Sequence, residues 1–186
     1  MNILKKMIEF IKLKIAVLTT QLKIKLLEEK DFKAFANALG ERESSNNYQA
    51  VNAFGYLGRW QFGMARLCDL GYTERKEGYS GYSNSAFRWK SGYSQDWFLN
   101  NPDIQDRIFL KHCRKLAEII KRNFGQSLGF KVNGIQITLS GLIAGAHLGG
   151  IGGVSKFLDR RDTKDQLGTS VSDYVKKFAG YNLENM

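Results

Sequence analysis

Between Gly40 and Gly63 the chain reads GERESSNNYQAVNAFGYLGRWQFG, and this stretch restricts the fold more than any other. A helical run ends in two acids, Glu41 and Glu43. A polar turn follows at Ser44 to Asn47. The chain then passes glycines 55, 58 and 63 among Tyr, Phe and Trp. Glycines at that spacing demand turns. An acid, amides and aromatic faces brought together by turns are what a carbohydrate cleft uses. The acid protonates a leaving oxygen, the amides bond hydroxyl and acetamido groups, and the rings cover sugars.

The spacing resembles that of the goose-type lysozyme and soluble lytic transglycosylase group of the lysozyme superfamily. That group carries a catalytic Glu followed by Ser. Nine residues after the Glu, a small polar residue opens a Gly-x-x-Gly-x-x-Gln run. Here Glu43-Ser44 leads to Asn52, then Gly55, Gly58 and Gln61 in register. A later Ala-Tyr-Asn-Ala-Gly-x-Gly-x-Val motif is similar to Ala146-His147-Leu148-Gly149-Gly150-Ile151-Gly152-Gly153-Val154. The resemblance covers about Asp31 to Phe157.

It implies a mainly α fold (α+β, lysozyme-like), a helical domain at 31–186 with a small β-like lobe. Residues 1–30 are then an additional amphipathic basic helix. It implies cleavage of the β-1,4 bond between N-acetylmuramic acid and N-acetylglucosamine, as a lytic transglycosylase or a lysozyme, with no cofactor or metal. Glu43 is the expected general acid. Ser44, Tyr48, Asn52, Gly58, Gln61, Ala146, His147 and Gly149 are the expected substrate contacts. His147 stands where the group has a Tyr that touches the catalytic Glu, so a hydrogen bond from His147 to Glu43 is expected. Leu148 in place of Asn removes an amide from that subsite. Asp69, Asp96, Asp103 and Asp106 are candidates by position for a second carboxylate, and Glu41 is the alternative acid.

Glu43 falls at the end of a helix expected from Asp31, which caps it. Phe32, Phe35, Ala36 and Leu39 form the buried face. A helix C-terminus and burial beside aromatic rings both favour the neutral form of a carboxyl, the state a general acid needs. Gly40 weakens the helix, a tolerable cost where the backbone passes close to another group.

In residues 1–30, Leu4, Ile8, Ile11, Ile15, Leu18 and Leu22 alternate spacings of four and three, one stripe of a helix. Lysines fall mostly off that stripe. Three readings compete: an arm packed on the domain, a helix that pairs with another chain, and a helix on an anionic membrane surface. Lys12 and Lys14 interrupt the apolar run and no small-residue cleavage site follows, so no ordinary secretory leader is read here. A wall-degrading protein of this kind acts in the periplasm or outside the cell, by a route like that of a phage lysin or a secreted effector.

The chain has 186 residues and a net charge of +10, enough for one domain and a surface that favours polyanions. Peptidoglycan strands and anionic envelope polymers fit that charge. The absence of zinc-finger spacing, an RNP-like run or a phosphate-binding Gly loop argues against nucleic acid. A non-catalytic glycan-binding module, or a basic membrane- or nucleic-acid-binding protein, is the alternative class. Cys68 and Cys113 read as two buried thiols.

Further on, Gly71 to Asn100 interleaves aromatic residues, from Tyr72 to Phe98, with basic ones, a pattern that suits stacked bases of a single strand, sugars in a groove, or a long loop burying its own rings; a loop facing glycan in part is expected. Asn101-Pro102 starts a long central helix that stops at Gly125. Gln136 to Leu148 is a helix whose small residues suit packing against the helix of Glu43. Gly149 to Gly153 bends it, and Val154 to Leu158 continues. A charged loop covers 159–168. Ser170 or Ser172 caps the last helix, which runs through Phe178.

Overall fold

A computed structural model describes residues 3–162, 164 and 168–186. The fold is mainly helical, with two small antiparallel sheets. Helix α1 spans Ile3–Ser44 without a break. Two helices meeting near Asp31 were expected, with Asp31 as a cap; instead Asp31 lies within α1. No Gly or Pro interrupts Glu28 to Lys33, and the i,i+4 ion pair of Lys33 with Glu29 at 2.9 Å bridges the expected junction. Residues 7–27 are exposed along their whole length, so they are not an arm folded onto the domain.

The base of α1 is embedded. Phe35 and Leu39 have no exposed surface, and Phe35 meets Phe109 and Phe178 at ring-centroid distances of 6.3 and 6.0 Å. Each such side chain contributes about 2–3 kcal/mol by leaving water. After α1, Leu57 makes single β-bridges to Val51 and to Phe62. Helix α2 (Met64–Asp69) follows. The positive φ of Gly71 (98°) turns the chain out of it.

The Tyr72–Phe98 region is more ordered than a loop. Strands β1 (Thr73–Arg75) and β2 (Phe87–Trp89) pair antiparallel, with Glu74 opposite Arg88. Helix α3 (Gln95–Leu99) is capped by Ser94, which accepts from the Trp97 amide. The rings mostly pack on one another. Tyr93 meets Tyr72 at 5.2 Å and Trp97 at 4.8 Å, and Phe98 is fully buried.

Helix α4 (Pro102–Phe124) is the central helix, and its buried side carries Ile108, Phe109, Leu116 and Ile120. Asn101 sits at the cap position, yet its amide donates back to the Trp97 carbonyl at 2.6 Å instead of capping. A hairpin of β3 (Lys131–Val132) and β4 (Ile135–Gln136) turns on Asn133 and Gly134, both at positive φ.

Helix α5 (Leu139–Leu158) begins three residues later than expected, capped by Thr138, and kinks where Gly150 adopts φ 67°. Its small residues face α6 (Val171–Lys177), not α1 as expected. A Cβ on Gly141 would lie 2.6 Å from the Val175 carbonyl oxygen, and one on Gly145 2.9 Å from a Val175 methyl. Only glycine admits α6 at that separation. Ser170 caps α6 in a reciprocal capping box with Asp173, and that hydrogen bond holds the Asp173 carboxyl below its ordinary range. Part of the expected charged loop at 159–168 lies outside the described residues.

Candidate functional site

Glu43 is on the last turn of α1 and lines a cleft of ≈ 570 Å³. The cleft is assembled from four separate segments: the end of α1, the turns at Asn52 to Gln61, the kinked half of α5, and α6 with the segment before it. Of the expected site residues, Glu43, Asn52, Gln61, His147 and Gly149 meet there. Ser44, Tyr48, Gly58 and Ala146 do not line it.

Those four have structural work to do. Ser44 Oγ donates to the Arg59 carbonyl at 2.8 Å, tying the end of α1 to the turn. Tyr48 Oη donates to Asp106 at 2.8 Å and accepts from Arg59 Nη1. The Arg59 guanidinium, mostly buried, also donates to Asn46 and Asn37. Gly40 makes room for this cluster: a Cβ there would lie 2.5 Å from Asn46 Oδ1 and 2.8 Å from Arg59 Nε. Gly58 has φ 73°, and a Cβ on it would overlap the buried amide of Gln105. That amide accepts from the Arg59 amide nitrogen and donates to the Tyr48 and Phe98 carbonyls, so the Gly-rich turn is pinned to α4. Ala146 is fully buried within α5.

Asn52 and Gln61 shape the wall they line. Asn52 Oδ1 accepts from the amides of Phe54 and Tyr56, an Asx-type turn. Gln61 sits at φ 46° and donates to the Gly58 carbonyl at 2.9 Å. Phe54 and Tyr56 are half-exposed and supply the aromatic surface of the cleft. The eight aromatics between Tyr72 and Phe98, from which a glycan-facing surface was expected, contribute none of the lining: Tyr72, Tyr93 and Trp97 pack on one another, Trp89 packs on Phe98, Phe87 lies under Arg75, and Tyr79 and Tyr82 are exposed away from the cleft.

The partner of Glu43 is Tyr174, not His147. Tyr174 Oη donates to Glu43 Oε1 at 2.6 Å, and the Tyr174 side chain is buried. Burial, then the Glu43 charge, pushes the phenol far above its usual range, so it remains a donor. His147 bonds elsewhere. Its Nε2 lies 2.9 Å from the Trp60 carbonyl oxygen, which can only accept, so Nε2 carries the proton. Nδ1 then accepts from His112 Nε2 at 3.1 Å. Neither ring nitrogen of His147 is left for Glu43. His112 is buried, and among the described residues its Nδ1 has no partner. Burial lowers the pKa of both histidines, well below the usual value for His112; Glu43 opposes the shift at His147.

Glu43 is the one carboxylate lining the cleft among the described residues, and Arg42, Lys156 and Lys164 line it too. None of Asp69, Asp96, Asp103 and Asp106 reaches it. Glu41 faces away and accepts from Asn46 at 2.8 Å. A larger groove of ≈ 710 Å³, between the base of α1, α4 and the C-terminal residues, shares no lining residue with the cleft; it carries Glu28, Glu29 and Asp106 beside Asn37, Asn182 and Asn185, none of them a residue of the Glu43 motif. Cys68 and Cys113 are free; Cys113 is buried, which pushes its thiol well up, and Cys68, expected to be buried, is half-buried.

Sequence reasoning missed Tyr174, Arg42 and Lys156. Nothing near Tyr174 in sequence marks it, since it reaches Glu43 across 131 positions through the packing of α6 on α5. No family model, curated protein or solved structure matches this chain.

Proposed function

We propose that the protein cleaves the glycan strand of peptidoglycan between N-acetylmuramic acid and N-acetylglucosamine, with Glu43 as general acid. The observation that carries this reading is the single carboxylate of the cleft, clasped by a buried Tyr and faced by amide and aromatic groups. The resemblance of Glu43-Ser44 and its following Gly-x-x-Gly-x-x-Gln run to the goose-type lysozyme and transglycosylase group supports the same assignment.

In this reaction Glu43 gives its proton to the glycosidic oxygen as the bond to the muramic acid anomeric carbon breaks. The acetamido oxygen of the same sugar stabilises that carbon. The sugar's own 6-hydroxyl then attacks, returning a proton to Glu43 and leaving a 1,6-anhydro end; attack by water instead leaves a reducing end. Inverting hydrolysis needs a second carboxylate to hold the water. Its absence among the described lining residues favours the substrate-assisted route. Tyr174 orients the carboxyl. Arg42, Lys156 and Lys164 suit a polymer that carries anionic substituents.

The test is mass analysis of purified peptidoglycan after incubation with wild type and with Glu43→Gln. Anhydro or reducing-end fragments from wild type alone support the proposal. Intact strands from both leave a glycan-binding module as the reading.

A further inference from the structure

The exposed part of α1 carries more apolar surface than a monomer explains. Twelve large apolar side chains between Met7 and Leu27 are each 43–64% exposed. Most of them fall on two rows of the helix, and monomers rarely expose apolar patches above roughly a few hundred Å². The segment is about 30 Å long at 1.5 Å per residue. Among the described residues no helix is long and apolar enough to cross a membrane.

The pattern identifies the occupant. Ile8, Ile11, Ile15, Leu18 and Leu22 follow 3-4-3-4 spacing, the seam of a coiled coil, with Ile8, Ile15 and Leu22 at one core position and Ile11 and Leu18 at the other. A helix lying on a bilayer keeps its opposite face polar. Here the opposite face carries a second row, Phe10, Leu13, Val17, Ile24 and Leu27, again at three- and four-residue steps with Thr20 between. A one-sided surface helix leaves that row in water, whereas helix–helix packing uses it.

We propose that α1 pairs in parallel with α1 of a second copy of this chain through the Ile8–Leu22 row, and that the second row admits further copies. The length of the row and its flanking residues select the direction. In parallel register every seam residue from Ile8 to Leu22 meets its own copy, while Met7 faces Lys12, Lys14 faces Thr19 and Gln21 faces Leu26, with no like charges opposed along the row. The antiparallel register that faces Ile8 with Leu18 leaves Leu22 unmatched and sets Lys12 against Lys12 and Lys14 against Lys14; the one that faces Ile11 with Leu22 leaves Ile8 unmatched. Parallel pairing places the domains at one end of the bundle, so their clefts engage one polymer with raised effective concentration.

Sedimentation equilibrium of the full chain is expected to give twice the chain mass or more at micromolar concentration. Ile15→Glu is expected to raise the dissociation constant on the order of a hundredfold by burying an unpaired charge. The domain's melting transition stays in place, since Ile15 is exposed in the single chain. Under mild oxidation Ile15→Cys is expected to form a same-residue disulfide between chains, whereas Glu9→Cys, off the seam, and the wild type with its own two cysteines do not. A wild type that is monomeric at every concentration overturns the proposal. So does one that is monomeric in solution and co-sediments with vesicles of phosphatidylglycerol but not phosphatidylcholine, which assigns the helix to an anionic membrane. Cross-linking of mixed Ile8→Cys and Leu18→Cys chains, with neither variant cross-linking alone, overturns the parallel direction.

Discussion

Tyr174 Oη lies 2.6 Å from Glu43 Oε1 and joins the last turn of α1 to the buried face of α6. This contact depends on the glycines of α5. Gly141 and Gly145 let α6 sit close enough for the Tyr174 ring to be buried while its hydroxyl reaches the cleft. The geometry of the Glu43 carboxyl is therefore set by a helix pair packed behind the cleft.

Tyr174→Phe keeps the ring and removes the donor. A hydrogen bond to a charged group contributes about 1.5–3 kcal/mol. We expect turnover of peptidoglycan to fall about tenfold to a hundredfold, equivalent to about 1.4–2.7 kcal/mol of barrier. The melting temperature should move by only a few degrees. Unchanged kcat in a turbidity assay would show that Tyr174 is a packing residue alone.

Glu43→Gln and Glu41→Gln should separate the two acids of α1. The first is nearly isosteric and removes the transferable proton, so cleavage should drop to background with the fold retained. The second loosens only the 2.8 Å contact to Asn46 on the exposed side and should leave activity within about twofold. Loss of cleavage in Glu41→Gln, with Glu43→Gln active, would reverse the assignment.

Gly141→Ala tests the helix separation. The added methyl would meet backbone, the Val175 carbonyl oxygen at 2.6 Å, which a rotamer change cannot relieve. Overpacking of this kind costs about 1–3 kcal/mol. Because α6 carries Tyr174, activity should fall along with stability. Gly152→Ala serves as the control, since nothing lies within 4 Å of its Cβ position. Equal denaturation midpoints for the two variants would remove the argument.

How much of this was legible in the sequence depends on the range of the cause. The limits of α4 follow from Pro102 and Gly125, and the kink of α5 from the glycines after Leu148, because those signals act on the backbone where they stand. Asp31 misled because a capping residue inside a run of helix formers caps nothing. The β3–β4 hairpin was available in Asn133-Gly134, a strong turn signal that went unread. Strands β1 and β2 have three residues each, too short for an alternation to be recognised. At the site, the local motif brings Glu43, Asn52 and Gln61 together, since the turn chemistry between them is written within twenty residues. The exchange of Tyr174 for His147 as the partner of Glu43 is a tertiary fact, and no spacing encodes it. The four expected contacts that miss the cleft share one feature: each is drawn into packing or a backbone bond by a residue distant in sequence, Arg59 and Gln105 foremost.

The buried histidine pair fixes the acid side of the stability profile. Desolvation is the leading cause of the lowered pKa of both His112 and His147. In the unfolded chain each takes up a proton near the ordinary value of about 6.5. The folded chain resists that proton until a lower pH. Below about 6.5 the unfolded state therefore binds more protons than the folded state, and stability must fall as the pH drops toward the folded values. The limiting slope is about 1.4 kcal/mol per pH unit for each histidine, and it vanishes above about pH 7.5, where both states are neutral. The Asp173 carboxyl, also lowered in the fold, acts in the same direction but only near its ordinary range of about 4 and below. The window between pH 6.5 and 5 thus belongs to the pair. Urea midpoints measured from pH 8 to 5 should be flat down to about 7 and then decline. His112→Leu, which removes the more strongly shifted group, should lose at least half of that decline at constant m-value. A wild-type midpoint that stays level from pH 8 to 5 would mean that the two rings take up protons as readily in the fold as in water, and the Trp60–His147–His112 chain of neutral hydrogen bonds would have to be abandoned.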